Sequence, residues 1–301
     1  MRWEGGRESD NVEDREGEAG MPGRGGPPLI LGGGLGTLAI VIVVALLGGD
    51  PLAFLQQVQN PNAPGPMQPG REPPPAEFQE EHHHDPAHEE LKRFVRVVLA
   101  DTEDVWEQVF REMGKSYRRP KLVMYFRHTQ AGCGFADSAV GPFYCPADET
   151  VYLDLGFFAE MRDRFRAPGE FAEAYVIAHE IGHHVQKLLG TMGRVDSARS
   201  RATKIEANHL SVRLELQADF YAGVWANRAN KMRQIIESGD VEAALRAANA
   251  IGDDRLQKQA RGFAVPDSFT HGTSEQRSHW FRRGLESGDM KQGDTFNARN
   301  L

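Results

Sequence analysis

The segment Ala172-Glu-Ala-Tyr-Val-Ile-Ala-His179-Glu180-Ile-Gly-His183-His184-Val185 constrains the chain more than any other, because its apolar residues make it a helix and its polar ones put chemistry on that helix. Phe171, Ala174, Tyr175, Ala178, Ile181, Val185, Leu188 and Leu189 recur at three- and four-residue steps, the period of a helix with one face in a core. Pro168 precedes the run and Gly190 follows it, where helices begin and stop. His179 and His183 are one turn apart on one side, so both imidazoles reach a single ion while Glu180 stands beside its open coordination position. His184 points about 100° further round the helix and stays out of that set.

Zn²⁺ suits such a pair: it takes two neutral imidazoles and one carboxylate and leaves a position for water, which it acidifies toward neutrality. Glu180 would act as general base on that water and pass the proton to a leaving amine. The missing carboxylate has a good source in the segment from Glu206 to Ala229, where Glu215 and Asp219 are four residues apart and share a helical face. Glu215 then reaches the metal, and Asp219 accepts the spare ring N–H of a liganding histidine. Glu206 is the competing carboxylate, and a solvated acidic face is the alternative for both. For the histidines the plain alternative is a buried helix with two hydrogen-bonded imidazoles.

A chain of 301 residues has room for one or two domains, but its first 88 do not read as a folded one. Residues 1–28 are rich in Gly, Arg, Glu and Asp and offer too little apolar surface to offset the entropy of ordering, so a disordered tail is expected. From Leu29 to Leu47 no charge occurs, a length sufficient for a membrane-spanning helix, placed here at residues 29–49. Arg24 lies just before it and Asp50 just after, which puts the N-terminus in the cytoplasm and the C-terminal part in the periplasm or outside the cell. Residues 50–88 are punctuated by prolines and read as a tether, and His82-His83-His84-Asp85 within it has no preorganised geometry for a metal. The formal net charge of −8 comes with no basic patch that would suggest nucleic acid.

The folded domain is expected over residues 89–295. Helical periodicity begins with Leu91, Phe94, Val95, Val98 and Leu99, and after Pro120 it gives way to strand-like runs at Leu122–Phe126, Gly141–Cys145 and Thr150–Leu155. The last two, joined by Pro146-Ala-Asp-Glu, read as a β-hairpin. Cys133 and Cys145 are the only cysteines. Outside the cytoplasm they would form a disulfide contributing on the order of 3 kcal/mol, and free thiols are the alternative.

His179-Glu-x-x-His183 followed by Glu215-x-x-Ala218-Asp219 resembles the gluzincin arrangement, which implies Glu215 as third zinc ligand. Cys133-Gly-Phe-Ala-Asp-Ser-Ala-Val-Gly-Pro-Phe-Tyr-Cys145-Pro, Val151-Tyr-Leu-Asp-Leu, Ile251-Gly-Asp-Asp-Arg-Leu-Gln-Lys-Gln and Phe269-Thr-His271-Gly-Thr-Ser-Glu-Gln-Arg277 are similar to the bacterial neutral zinc metallopeptidase family of the YpfJ type. That resemblance covers nearly the whole chain apart from the tether and implies peptidase activity. The last stretch also resembles the Thr-His-Pro-x-x-x-x-Arg of membrane-associated gluzincins, with Gly272 in place of Pro, which implies that His271 or Arg277 approaches the site and that His271 assists catalysis. Thr273-x-x-Gln276 reads independently as a capping box opening a helix.

Together these readings give an α+β, zincin-like metallopeptidase domain with a small β-sheet and hairpin around an active-site helix, preceded by one N-terminal transmembrane helix. The expected activity is zinc-dependent hydrolysis of peptide or protein substrates at the cell membrane. A zinc-binding scaffold of the cell envelope without turnover is the alternative.

Overall fold

Helix α1 begins where Pro86 supplies a preset φ and no N–H that needs a partner, and it runs Pro86–Glu112, with Glu89 in its first turn and Arg111 in its last as the helix dipole favours. Its buried face includes Phe94, Val98, Leu99, Val105, Trp106, Val109 and Phe110. The structure, a computed structural model, describes residues 1–16, 86–137, 141–163 and 167–301.

A four-stranded sheet has the order β1-β2-β6-β5, with β1 at Val12–Asp14, β2 at Lys121–Tyr125, β5 at Phe143–Cys145 and β6 at Thr150–Asp154. Strand β2 is parallel to both β1 and β6, and β5 pairs antiparallel with β6, which is the hairpin expected from sequence. A separate two-stranded hairpin is formed by β3 (His128–Ala131) and β4 (Gly134–Asp137). Side chains alternate across the sheet as strand geometry requires. Leu122, Met124, Val151 and Leu153 face the main core, while Val123, Tyr125, Tyr152 and Cys145 form a smaller cluster on the other face. The disulfide Cys133–Cys145 ties the β3–β4 turn to edge strand β5.

Seven more helices follow among the described residues: α2 (Gly156–Asp163), α3 (Glu170–Leu188), α4 (Thr191–Arg199), α5 (Lys204–Arg233), α6 (Asp240–Ala250), α7 (Asp253–Arg261) and α8 (Ser274–Ser287). Helix α3 is the hub, buried on every side from Phe171 to Gln186. Helix α5 packs along it where Gly182 meets Ala218: a Cβ at Gly182 would come 3.0 Å from the Ala218 carbonyl oxygen. Gly223 and Gly284 allow a similar approach of α5 and α8, since a Cβ on either would run into the other helix's backbone. The capping boxes Thr203/Glu206 and Thr273/Gln276 start α5 and α8.

Two expectations are corrected. The architecture is mostly helical with a small sheet, and among the described residues no helix is long and apolar enough to cross a membrane. The run that suggested one, residues 29–49, lies outside the described residues, as do most of the expected tether and its histidine cluster. Residues 1–16 are not a disordered tail. Trp3 is buried against Phe94 in the main core, β1 extends the sheet, and the fully buried carboxylate of Glu103 accepts from Arg7, Ser9 and Asn11. Lys92 then binds Asp14 and Glu16, and His88 meets Glu16 at 2.7 Å. A single crossing between residues 16 and 86 would put these two parts of one sheet and core on opposite sides of a bilayer, so the single-span arrangement does not fit the fold. Composition misled because it counts what a segment contributes, whereas residues 1–16 take their partners from Glu103, Lys92 and the edge of β2.

The N-terminal segment is therefore expected to carry stability. Trp3→Ala should lower the unfolding free energy by about 3–5 kcal/mol in urea titration, with the exposed Glu4→Ala close to neutral. An unchanged midpoint for Trp3→Ala would show that the segment does not pack as described.

Candidate metal centre

The close approach at Gly182 and Ala218 decides what faces the two histidines. Glu215 precedes Ala218 by three residues and Asp219 follows it by one, so both carboxylates lie on the α5 face turned to α3. Glu215 Oε2 is 3.2 Å from His179 Nε2 and 3.5 Å from His183 Nε2, and the three ligand-capable atoms lie within 4.8 Å of one another. Donors about 2.0–2.2 Å from a tetrahedral zinc stand roughly 3.3–3.5 Å apart, so this spacing fits that ion. The rings of His179 and His183 are perpendicular, with centroids 4.9 Å apart.

Each imidazole is held from behind. His179 Nδ1 is 2.8 Å from Asp219 Oδ1, and Asp219 also accepts from Tyr175 Oη at 2.5 Å and from Arg277 Nε and Nη2 at 2.9 and 3.0 Å. With Nδ1 committed to Asp219, Nε2 is the nitrogen left facing Glu215. His183 Nδ1 donates to Gln186 Oε1 at 2.9 Å, which leaves its Nε2 on the same centre. Sequence reasoning missed Gln186 and Tyr175, although their offsets of three and four residues from the histidines put them within reach. Arg277 does approach the site, as a clamp on Asp219.

The electrostatics favour positive charge at the centre. Burial pushes the Asp219 carboxyl up, but Arg277 and His179 prevail and hold it down to about 2. Burial works against a charged His179, yet the carboxylates of Asp219 and Glu215 raise it to about 10. Glu215 is held well below the usual carboxylate range, because the histidines facing it outweigh its burial. A divalent cation would draw on the same field.

Glu180 is less than a tenth exposed, and its carboxylate accepts from the backbone N–H of Tyr144 on β5. Burial raises its pKa against the opposing pull of His179 and His183. His184 turns away: Nε2 donates to the Arg118 carbonyl at 2.6 Å, and Nδ1 accepts from Tyr144 Oη at 3.0 Å. Glu206 is not part of the cluster, since its carboxylate closes the capping box on Thr203 at the start of α5. His271 stands beside the cluster, close enough for its charge to lower Glu215. Asp253, which sequence reasoning did not single out, builds that corner: Oδ2 accepts the backbone N–H groups of Thr270, His271 and Gly272, and Oδ1 is 3.2 Å from His271 Nδ1.

The chain is 51% identical over 298 residues to the Escherichia coli K12 protein YpfJ, covering 98% of this chain and 99% of that one. It is 41% identical over 222 residues to the Mycobacterium tuberculosis H37Rv protein Rv2575, covering 70% of this chain and 74% of that one. No solved structure matches it significantly. The family described as "Putative neutral zinc metallopeptidase" matches residues 1–296, and the chain belongs to that family.

Proposed function

We propose that this protein is a zinc-dependent peptidase in which His179, His183 and Glu215 hold the metal and Glu180 is the general base. The observation that carries the reading is the convergence of two imidazole nitrogens and one carboxylate oxygen beside a buried glutamate. When bound, zinc supplies Lewis acidity, making water nucleophilic near neutral pH and polarising the scissile carbonyl. Glu180 takes the proton of the attacking water and delivers it to the departing amine nitrogen. Asp219, locked by Arg277 and Tyr175, keeps His179 in the tautomer that presents Nε2. Gln186 does the same for His183 through a neutral amide. With Nδ1 turned to Asp253, His271 has Nε2 as its remaining donor, and we assign it to the oxyanion that develops on the substrate carbonyl.

Glu180→Gln keeps the shape of the side chain and removes its basicity. Peptide-library hydrolysis should fall by about 10²–10⁴-fold while zinc content is unchanged. In the same assay His271→Ala should lower kcat by roughly 10²-fold with little change in KM. Full activity in Glu180→Gln would sink the mechanism, and a His271→Ala effect confined to KM would remove His271 from the chemistry.

The carboxylates on α5 should separate by function. In dialysis against graded chelator, Glu215→Ala should lose zinc outright, Asp219→Ala should weaken it by about 10- to 100-fold, and Glu206→Ala should keep it. Zinc loss in Glu206→Ala with retention in Glu215→Ala would reverse the ligand assignment.

A further inference from the structure

Behind the metal cluster, between α4, α5 and the C-terminal strap that follows α8, lies a cavity of about 590 Å³. Its apolar wall includes Val195, Leu210, Met290 and Phe296. Polar groups without acidic partners share the lining. Among the described residues Arg194 hydrogen-bonds the Leu189 carbonyl and the Thr191 hydroxyl, and neither it nor Lys291 has a carboxylate within ion-pair distance. The Tyr221 hydroxyl makes no hydrogen bond within the described residues, although the residue is otherwise buried. Asp294 is the acidic group of the lining, and its oxygens are already engaged by the Asn297 amide and the backbone N–H groups of Phe296 and Asn297. Two cations, one phenol donor and an apolar wall match an anionic head on a short apolar body.

The cavity is also wired to the metal cluster. With His183 Nε2 given to the metal in the zinc reading above, its Nδ1 carries the proton that Gln186 Oε1 accepts at 2.9 Å. That orients the Gln186 amide, whose Nε2 donates to the Leu214 carbonyl at 2.7 Å and to Gln217 Oε1 at 3.2 Å. Gln217 in turn must donate through Nε2, and it does so to the Gly293 carbonyl at 3.0 Å. Gln217 and Gly293 both line the cavity. Gly293 has no freedom to grow a side chain, since a Cβ there would strike the Phe220 ring. Each donor in the chain is fixed by the one before it, so a ligand that shifts the strap or Gln217 alters the hold on His183.

We propose that this cavity binds a small amphipathic carboxylate, and that its occupancy is felt at the metal through Gln217, Gln186 and His183. The link to the metal rests on the zinc reading above, whereas the binding itself does not.

Octanoate is a suitable probe, with octanol and octylamine as neutral and cationic controls of equal chain length. Titration calorimetry on the full chain should give octanoate a Kd of about 0.1–1 mM, with both controls at least several-fold weaker. Arg194→Gln and Tyr221→Phe, both remote from His179, His183 and Glu215, should each weaken octanoate by roughly fivefold or more and leave octanol unchanged. Saturating octanoate should shift zinc affinity in chelator competition, zinc should shift octanoate affinity by the same factor, and Gln217→Leu should abolish both shifts while octanoate still binds. Absence of octanoate binding, or equal binding of octanoate and octanol, overturns the site. Binding that leaves zinc affinity unmoved overturns the link. If the protein holds no zinc at all, the zinc reading fails by itself while calorimetry still tests the cavity.

Discussion

The structure depends on one close contact, the approach of α3 and α5 at Gly182 and Ala218. Interaxial distance is set by the side chains at the crossing, and a glycine against an alanine gives the short end of the range. Only then do side chains as short as Glu215 and Asp219 reach the imidazoles of the facing helix. A methyl group at position 182 would act on that distance first and on the metal cluster through it. The glycine between the two histidines therefore sets the distance at which they meet Glu215 and Asp219.

The next requirement is charge balance in a buried place. Asp219 has no exposure, and it is kept ionised by four donors from Tyr175, His179 and Arg277. Such a pair adds little net stability compared with an apolar substitute, but breaking it by removing one partner costs about 3–5 kcal/mol. Arg277 reaches this position because α8 packs against α5 through Gly223 and Gly284. The two histidines are supported unequally, one by an anion within an ion-pair network and the other by the amide of Gln186. The anion makes His179 the more basic imidazole, and the amide chain leaves His183 open to influence from the C-terminal strap.

Much of the site was legible in the sequence because it is local. The helical period fixed α3, the four-residue spacing fixed which histidines and carboxylates share a face, and Thr273-x-x-Gln276 announced the start of α8. The disulfide and the β5–β6 hairpin were similarly readable, since their partners are near in sequence. What escaped was non-local. Residues 1–16 carry few apolar residues and are ordered by the core around Phe94, by Glu103 and Lys92 and by the edge of β2, far along the chain. Arg277 stood out by its motif, but only the packing of α8 shows that it serves Asp219. The apolar run at residues 29–49 is the opposite case, a strong local signal whose single-crossing interpretation conflicts with residues 1–16 lying in the same sheet and core as the rest.

The central functional claim is that two imidazoles and one carboxylate hold zinc. X-ray absorption at the zinc edge of the purified full-length protein tests it directly. The account predicts a shell of nitrogen and oxygen donors at about 2.0–2.2 Å, with outer-shell scattering from two imidazoles and none from sulfur. A sulfur shell near about 2.3 Å, or scattering from fewer or more than two imidazoles, would contradict it.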